Sequence, residues 1–263
     1  MLAALLVIVG LLGLAVGSFL NVVIYRVPAG LSVVRPGSHC PDCDAPIRPW
    51  HNVPVAGWLA LRGKCADCGS PISPRYPLVE AATAALFVLT ALLQWNRAQL
   101  PLLPALLYVG AVGIALAAID LDCQRLPNAI VLPSYPVLAV LLVGASAWSG
   151  DWWALGRAGI GAAALFGFYL LIVLVYPAGM GWGDVKLAGL LGAVLGYVGW
   201  SALLVGAFAG FFFGAVVAVV VMALGRGGRK TALPFGPFMI LGAAFGVALG
   251  GWVGGIYFGM LSG

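Results

Sequence analysis

Three aspartates at the ends of apolar tracts are the residues of this chain best suited to chemistry. Asp120 and Asp122 end one apolar tract, and Asp184 begins another one, far away in sequence. Ionisable groups at membrane depth cost several kcal/mol and tend to mark function. Two carboxyl groups held close together cannot both ionise easily, so one keeps a proton. Such a pair can activate water with one member while the other protonates a substrate carbonyl, which hydrolyses a peptide.

Glycines surround the second aspartate. They are Gly179, Gly181 and Gly183, and Lys186 follows two residues after Asp184. Because glycine has no side chain, this segment lets another backbone, such as an extended substrate strand, come close to the carboxyl group.

An ordinary interfacial loop explains the same residues without catalysis. In that interpretation Asp184 caps a helix, and Asp120 or Asp122 pairs with Arg125 or Lys186. The chemistry of the residues alone leaves both interpretations open. The sequence contains no G-x-S-x-G elbow, no H-E-x-x-H motif and no Walker loop that would supply a different kind of active site.

Two CxxC pairs form a second candidate site. They are Cys40-Pro-Asp-Cys43 and Cys65-Ala-Asp-Cys68, with 21 residues between them. Two such turns supply four thiolates in the tetrahedral geometry that structural zinc prefers, and Gly69 suits the second turn. A pair of disulfides is the alternative, but a cytoplasmic segment keeps its thiols reduced. His39 is an alternative ligand, and Cys123 is assigned no role. Glu80 either binds an amine of the substrate or pairs with Arg75.

The elements that must position these residues are membrane helices. Of 263 residues, 63% are hydrophobic and 8% are charged, and the mean hydropathy is +1.09. A soluble domain has about 25% charged residues, and a membrane-spanning helix needs about 20 apolar residues. Eight tracts fit this pattern: residues 2–24, 78–94, 102–119, 129–147, 157–176, 185–199, 201–224 and 235–261. We therefore expect an all-α polytopic membrane protein of about eight transmembrane helices.

The positive charges predict how these helices are oriented. The first tract lacks a cleavage signal, so we expect it to remain as a helix with its N-terminus outside. Eleven cations then fall in inner loops: Arg26, Arg35, Arg48, Arg62, Lys64, Arg75, Arg125, Lys186, Arg226, Arg229 and Lys230. Only Arg97 and Arg157 fall in outer loops, which is a strong positive-inside bias. The net charge of +5 therefore needs no nucleic-acid partner, and both aspartate sites lie at the cytoplasmic edge.

Three regions follow from this pattern: a first helix over 1–25, a cytoplasmic zinc-binding insertion over 26–77, and a helical bundle over 78–263. Glycines in the bundle recur every fourth residue. They are Gly206, Gly210 and Gly214, and then Gly242, Gly246, Gly250 and Gly254. This spacing predicts close helix–helix packing.

Six motifs occur in the same order in one known family. They are Gly17-Ser-Phe-Leu-Asn21-Val-Val-Ile-Tyr-Arg26, the two CxxC pairs, Ser73-Pro-Arg75-Tyr-Pro77-Leu-Val-Glu80, Ile119-Asp120-Leu-Asp122 with Leu126-Pro127-Asn128, Gly181-Trp-Gly-Asp184-Val-Lys186-Leu, and Leu233-Pro-Phe-Gly-Pro237-Phe. In these motifs the chain resembles the prepilin peptidases of type IV pilus and type II secretion systems. The fifth motif is the GxGD motif shared with membrane aspartyl proteases of the presenilin type.

The resemblance implies roles for these residues. Asp120 and Asp184 would form the catalytic dyad, and Gly181, Gly183 and Lys186 would support it. Asp122 is a secondary candidate, because residues two apart on a helix point about 200° apart. The resemblance favours Asp120, since related shorter enzymes keep an aspartate seven residues before the proline, which matches Asp120 and Pro127. The substrate would be a prepilin or pseudopilin, cut at the cytoplasmic face of the bacterial inner membrane. Members with the cysteine-bearing insertion often also N-methylate the new terminus with S-adenosylmethionine, so we expect that activity too.

Two other classes of protein are compatible with buried carboxyl groups in a helical bundle. An ion-coupled transporter would show proton flux that depends on Asp120. A non-catalytic assembly factor would leave pilin processing unaffected by changes at the aspartates. The sequence predicts neither the oligomeric state nor which pilin is processed.

Overall fold

The computed structural model describes residues 1–177, 180–225 and 233–262, without the side chains of residues 257–262. These ranges are almost entirely helical and contain no β-strand. The helices are α1 (Leu2–Arg26), α2 (Ala56–Ala60), α3 (Arg75–Asn96), α4 (Leu103–Cys123), α5 (Asn128–Ser149), α6 (Trp153–Val175), α7 (Trp182–Val198), α8 (Trp200–Ala223) and α9 (Gly236–Ser262). Short 3-10 segments cover Pro49–Asn52 and Leu100–Leu102.

Seven of these helices, all except α2 and α7, are long and apolar enough to span a membrane. Helix α7 has 17 residues, fewer than the roughly 20 that a perpendicular span needs. Helix α7 corresponds to the predicted tract over residues 185–199, which is short and interrupted by glycines. Large apolar side chains on α1, such as Val7, Ile8 and Leu11, are exposed, as expected where lipid replaces water. The protein is therefore the all-α, multi-pass membrane protein that its composition predicts.

One compact unit comprises residues Met1–Leu103 and Leu107–Ala115. In it α1 packs along α3 at very short distance, since a Cβ atom on Gly17 would lie 2.7 Å from Cα of Glu80. Arg26 ends α1 and is buried, and its guanidinium group donates to the carbonyl oxygens of Ser32, Pro36 and Gly37. The start of the insertion is therefore fixed to the end of the first helix.

The other compact unit comprises Pro104–Leu106 and Leu116–Gly263, and glycines bring its helices together in pairs. On α6 and α7, Gly161 faces Gly192, and a Cβ atom on Gly192 would lie 3.1 Å from Cα of Ala162. On α8 and α9, a Cβ atom on Gly242 would lie 2.7 Å from Cα of Gly210. The predicted role of the α8 and α9 glycines in close packing is confirmed, and the α6–α7 contact is an addition.

Replacing Gly242 with Ala is expected to destabilise the α8–α9 pair, because the added methyl group has no room against the backbone of α8. Overpacking of this kind costs about 1–3 kcal/mol. The measurement is the thermal unfolding midpoint in detergent. Gly251 on the same helix faces open space, so Gly251→Ala is the matched control and should leave the midpoint unchanged. Equal midpoints for both variants would contradict the packing role.

Four residues on which sequence-based predictions rest lie outside the described part of the chain. They are Gly179, Arg226, Arg229 and Lys230. The membrane orientation, which rests partly on the last three, remains a prediction.

Candidate active site and metal centre

Asp120 lies in the last turn of α4 and is buried, with 5% of its surface exposed. Helix α4 ends three residues later, where Gln124 has a positive φ of 52° and Pro127 follows. Proline disfavours helical backbone in the residue before it, so the chain breaks here and restarts as α5. The Oδ2 atom of Asp120 accepts a hydrogen bond of 3.0 Å from the backbone N–H of Gly236, the first residue of α9.

Asp184 lies in the first turn of α7 and is partly buried. Its Oδ2 atom accepts the N–H of Gly181 at 3.0 Å, and its own N–H donates to the carbonyl oxygen of Gly181 at 3.1 Å. The sequence alternative in which Asp184 caps a helix is thus correct for this oxygen. A carboxyl group has a second oxygen, so capping does not exclude a catalytic role.

The chain brings Asp120 and Asp184 together within the same unit, where their carboxyl groups interact electrostatically. Leu126, between α4 and α5, contacts the segments beside both aspartates. A Cβ atom on Gly183 would lie 2.8 Å from Cβ of Leu126, and one on Gly236 would lie 3.4 Å from its Cδ2 atom. Three segments from distant parts of the sequence therefore converge around the two carboxyl groups.

Asp122 lies on α4 but is exposed, whereas Asp120 two residues earlier is buried. This difference follows from the helix geometry, since two residues turn the side chain by about 200°. Cys123 is also exposed, and its thiol donates to the carbonyl oxygen of Ile119.

Lys186 joins α7 to α5 rather than pairing with either aspartate of α4. Its Nζ atom donates to Oδ1 of Asn128 at 2.8 Å, and its carbonyl oxygen accepts the hydroxyl of Tyr135 at 2.6 Å. The sequence motifs contain both Lys186 and Asn128 but do not predict the contact between them. The Leu-Pro-Phe-Gly-Pro motif likewise does not predict that Gly236 binds Asp120.

The four cysteines of the insertion form one cluster, in which all four Sγ atoms lie within 4.8 Å of one another. Sγ of Cys40 lies 3.9 Å from Sγ of Cys68. Four sulfur ligands at the usual Zn–S distance of about 2.3 Å place neighbouring sulfur atoms about 3.8 Å apart. The cluster therefore has the dimensions of a tetrahedral metal site, and it does not include His39.

The two CxxC turns have the same backbone structure. The N–H of Asp44 donates to the carbonyl oxygen of Cys40 at 2.9 Å, and the N–H of Gly69 donates to that of Cys65 at 3.0 Å. Both donors have left-handed backbone, with φ of 60° and 77°. Asp tolerates this conformation better than most residues, so Asp44 occupies in the first turn the position that Gly69 occupies in the second.

Two thiols of the cluster have different pKa values and therefore differ in how readily they become metal-binding thiolates. Hydrogen bonding with Ser70 lowers the pKa of Cys68 to about 6, so this thiol is mostly thiolate at neutral pH. At Cys43 a backbone hydrogen bond involving Ala45 acts to lower the pKa, but the hydrogen bond with Cys68, desolvation and the hydrogen bonds with Cys40 and Cys65 together raise the pKa to about 12. A metal ion must therefore displace protons, and its affinity is expected to fall as the pH falls.

Glu80 fixes the insertion to α3, a role that the sequence did not predict. Only 7% of its surface is exposed, and its Oε2 atom accepts the N–H of Val55 at 2.7 Å. Val55 has a φ of 60°, which is strained for a β-branched residue. The carboxylate therefore holds a strained turn in place immediately before α2.

Replacing Glu80 with Ala should weaken this attachment by about 1–3 kcal/mol, because it leaves the N–H of Val55 without its acceptor. Hydrogen exchange at the Val55 amide is the measurement, and exchange should become faster. Glu80→Gln keeps an oxygen acceptor and is expected to exchange at a rate closer to that of the wild type. Unchanged exchange in Glu80→Ala would show that the carboxylate does not hold the turn.

Comparison with known proteins gives consistent matches over most of the chain. Residues 11–94 match the bacterial peptidase A24 N-terminal domain, and residues 106–219 match the type IV leader peptidase family. A prepilin leader peptidase/N-methyltransferase of Stutzerimonas stutzeri is 36% identical over 92% of this chain and 87% of its own length. Proteins of the same name from Pseudomonas aeruginosa and Neisseria gonorrhoeae are 35% and 37% identical, over 92% and 86% of this chain. No solved structure matches this chain.

The fold and the matches together place this protein in the class of polytopic membrane peptidases that carry a cysteine-bearing insertion after the first helix. This chain belongs to the type IV leader peptidase family. The resemblance found in the sequence motifs is confirmed.

Proposed function

We propose that this protein removes the leader peptide of its substrate with a water molecule that Asp120 and Asp184 activate. Membership of the type IV leader peptidase family and the names of the relatives support a prepilin leader peptidase that also N-methylates the new terminus, with prepilins or pseudopilins as its substrates. The transporter and assembly-factor alternatives are not favoured. The observation that carries the assignment of the dyad is that Leu126 lies beside both Gly183, the neighbour of Asp184 in sequence, and Gly236, whose N–H binds Asp120.

The proposed reaction divides the work between the two carboxyl groups. The ionised one takes a proton from water as the water oxygen attacks the carbonyl carbon of the scissile peptide. The protonated one gives its proton to the carbonyl oxygen. The C–N bond then breaks as the first carboxyl group passes the proton it took from water to the leaving amine, and a hydroxyl proton of the intermediate returns to the second carboxyl group. The water supplies the new carboxyl terminus of the leader. Burial of Asp120 and exposure of Asp122 favour Asp120 as the first member.

Structural zinc is the metal that best fits the cysteine cluster. Cys40, Cys43, Cys65 and Cys68 would hold it, and four thiolates leave no open position for a substrate or a reactive water. Its contribution is to stabilise an insertion whose own apolar core is small. We propose that the insertion over 26–77 serves methylation, while the bundle over 78–263 serves cleavage.

S-adenosylmethionine supplies the methyl group in the methylation that the names of the relatives imply. A cavity in the bundle holds only about 10 Å³ and is lined by apolar side chains such as Leu191 and Met239. This cavity does not fit a nucleoside-containing cation.

The test of the proposed function uses the purified protein in liposomes with a prepilin and S-adenosylmethionine. Mass spectrometry should show a substrate shortened by its leader and then heavier by one methyl group. Liposomes without the protein are the control. An unprocessed substrate, together with proton flux that depends on Asp120, would instead support a transporter.

The proposed location of the active site is the cytoplasmic face of the bacterial inner membrane, with the N-terminus of α1 outside. The charge bias of the loops supports it. Inverted membrane vesicles should process a prepilin added from the medium, whereas sealed right-side-out vesicles should not. Processing by right-side-out vesicles alone would reverse the proposed orientation.

A further inference from the structure

The backbone N–H of Gly236 is an unusual partner for a proposed catalytic carboxyl group, because it comes from the other end of the sequence. Gly236 is buried and is the first residue of α9, and its N–H donates to Oδ2 of Asp120 at 3.0 Å. The first N–H groups of a helix have no acceptor within the helix and favour a negative partner. The start of α9 therefore meets the end of α4 through this one hydrogen bond.

The residues that follow Gly236 offer no competing N–H group to the carboxyl group of Asp120. Pro237 has no N–H, and the N–H groups of Phe238 and Met239 both donate to the carbonyl oxygen of Phe235. A side chain at position 236 would collide with the site, since its Cβ atom would lie 2.8 Å from Oδ2 of Asp120. Glycine is thus the residue that lets the backbone come within hydrogen-bonding distance.

Aromatic rings from three helices hold the residue before this glycine. The ring of Phe235 lies 5.3 Å from that of Phe211 on α8, 6.3 Å from that of Tyr169 on α6 and 6.4 Å from that of Phe238 on α9, centroid to centroid. Aromatic pairs at such distances add to the stability gained by burial. Because Phe235 is held on several sides, the peptide group that follows it has a fixed direction.

We propose that Phe235 and Gly236 are positioning residues of the peptidase, which hold the carboxyl group of Asp120 in the geometry for attack by water. This inference rests on the proposed role of Asp120 and adds the Leu-Pro-Phe-Gly-Pro segment to the active site. The segment acts through the carboxylate and does not touch the scissile bond. Its loss should therefore lower kcat for cleavage and leave KM for the prepilin little changed.

The test is Gly236→Ala, measured by cleavage of a prepilin and, separately, by methylation of a pilin whose leader has already been removed. Displacing a reacting group by about 1 Å can cost about 10²-fold in rate, so kcat for cleavage should fall by about that factor. Methylation should persist, which reports that the variant is folded. Gly251→Ala on the same helix is the control and should cleave normally, since its side faces open space. A kcat within about twofold of the wild type would overturn the proposal.

If Gly236→Ala loses both activities, a second pair of variants tests the positioning role instead. Phe235→Leu removes the ring and leaves the backbone unchanged, so it should lower kcat for cleavage at constant KM. Phe245→Leu is its control, because Phe245 pairs with Phe213 at 5.7 Å, away from this segment. Equal kcat values for the two would overturn the proposal. Failure of the dyad is separate, since it would appear as normal cleavage by Asp120→Asn.

Discussion

Replacing Asp184 with Asn is expected to abolish leader cleavage, with a loss of at least about 10³-fold in kcat. Asn can neither ionise nor give up a proton in the reaction, so one half of the proposed dyad is removed. The substitution has little structural effect, since the amide oxygen of Asn can still accept the N–H of Gly181 that caps α7. The measurement is the rate of leader release from a prepilin in reconstituted membranes.

Methylation of a pilin already freed of its leader is the internal control for Asp184→Asn. A folded variant should methylate this substrate at a rate near that of the wild type. Cleavage within about tenfold of the wild type would mean that Asp184 only caps α7, which is the structural role the sequence had left open.

Replacing Cys40 with Ser should remove the metal and methylation but leave most of the cleavage activity. The variant keeps three of four thiolates, and structural zinc needs all four ligands for its closed tetrahedral site. We expect zinc content, measured on the purified protein by atomic emission, to fall from about one ion per chain to near zero. Methylation of a cleaved pilin should fall with it, because the insertion loses its main stabilising element.

Cys123→Ser is the matched control for the metal prediction, since this cysteine lies on α4 outside the cluster. It should keep the metal and both activities. If Cys40→Ser lost cleavage and methylation to the same degree, the proposed division between the insertion and the bundle would be wrong. If it kept the full metal content, the four thiols would not be the ligands.

The sequence predicted the membrane helices and the cysteine cluster because both depend on local pattern. An apolar tract of about 20 residues specifies a span by itself, and a CxxC turn places two thiols side by side without help from distant residues. The sequence also predicted the short helix α7, as the apolar tract over residues 185–199 that glycines interrupt. Such features need no knowledge of tertiary contacts.

Contacts between segments that are distant in the chain could not be predicted from the sequence. The hydrogen bond from Gly236 to Asp120 joins residues 116 positions apart, and that from Val55 to Glu80 joins a strained turn to a membrane helix. Nothing in the local pattern of Glu80 distinguishes a carboxylate that holds a backbone amide from one that pairs with a neighbouring arginine. Likewise, helix periodicity says that Asp120 and Asp122 point in different directions but not which one faces inward, and the structure answers this through the burial of Asp120.

The most direct test of the proposed dyad compares Asp120→Asn with Asp122→Asn in one assay of prepilin processing. The two variants carry the same chemical change two residues apart on α4, so a difference in net charge cannot explain a difference in activity. If Asp120 belongs to the dyad, the leader should stay intact with Asp120→Asn and be released normally with Asp122→Asn. Normal release with Asp120→Asn, or loss of release only with Asp122→Asn, would contradict it.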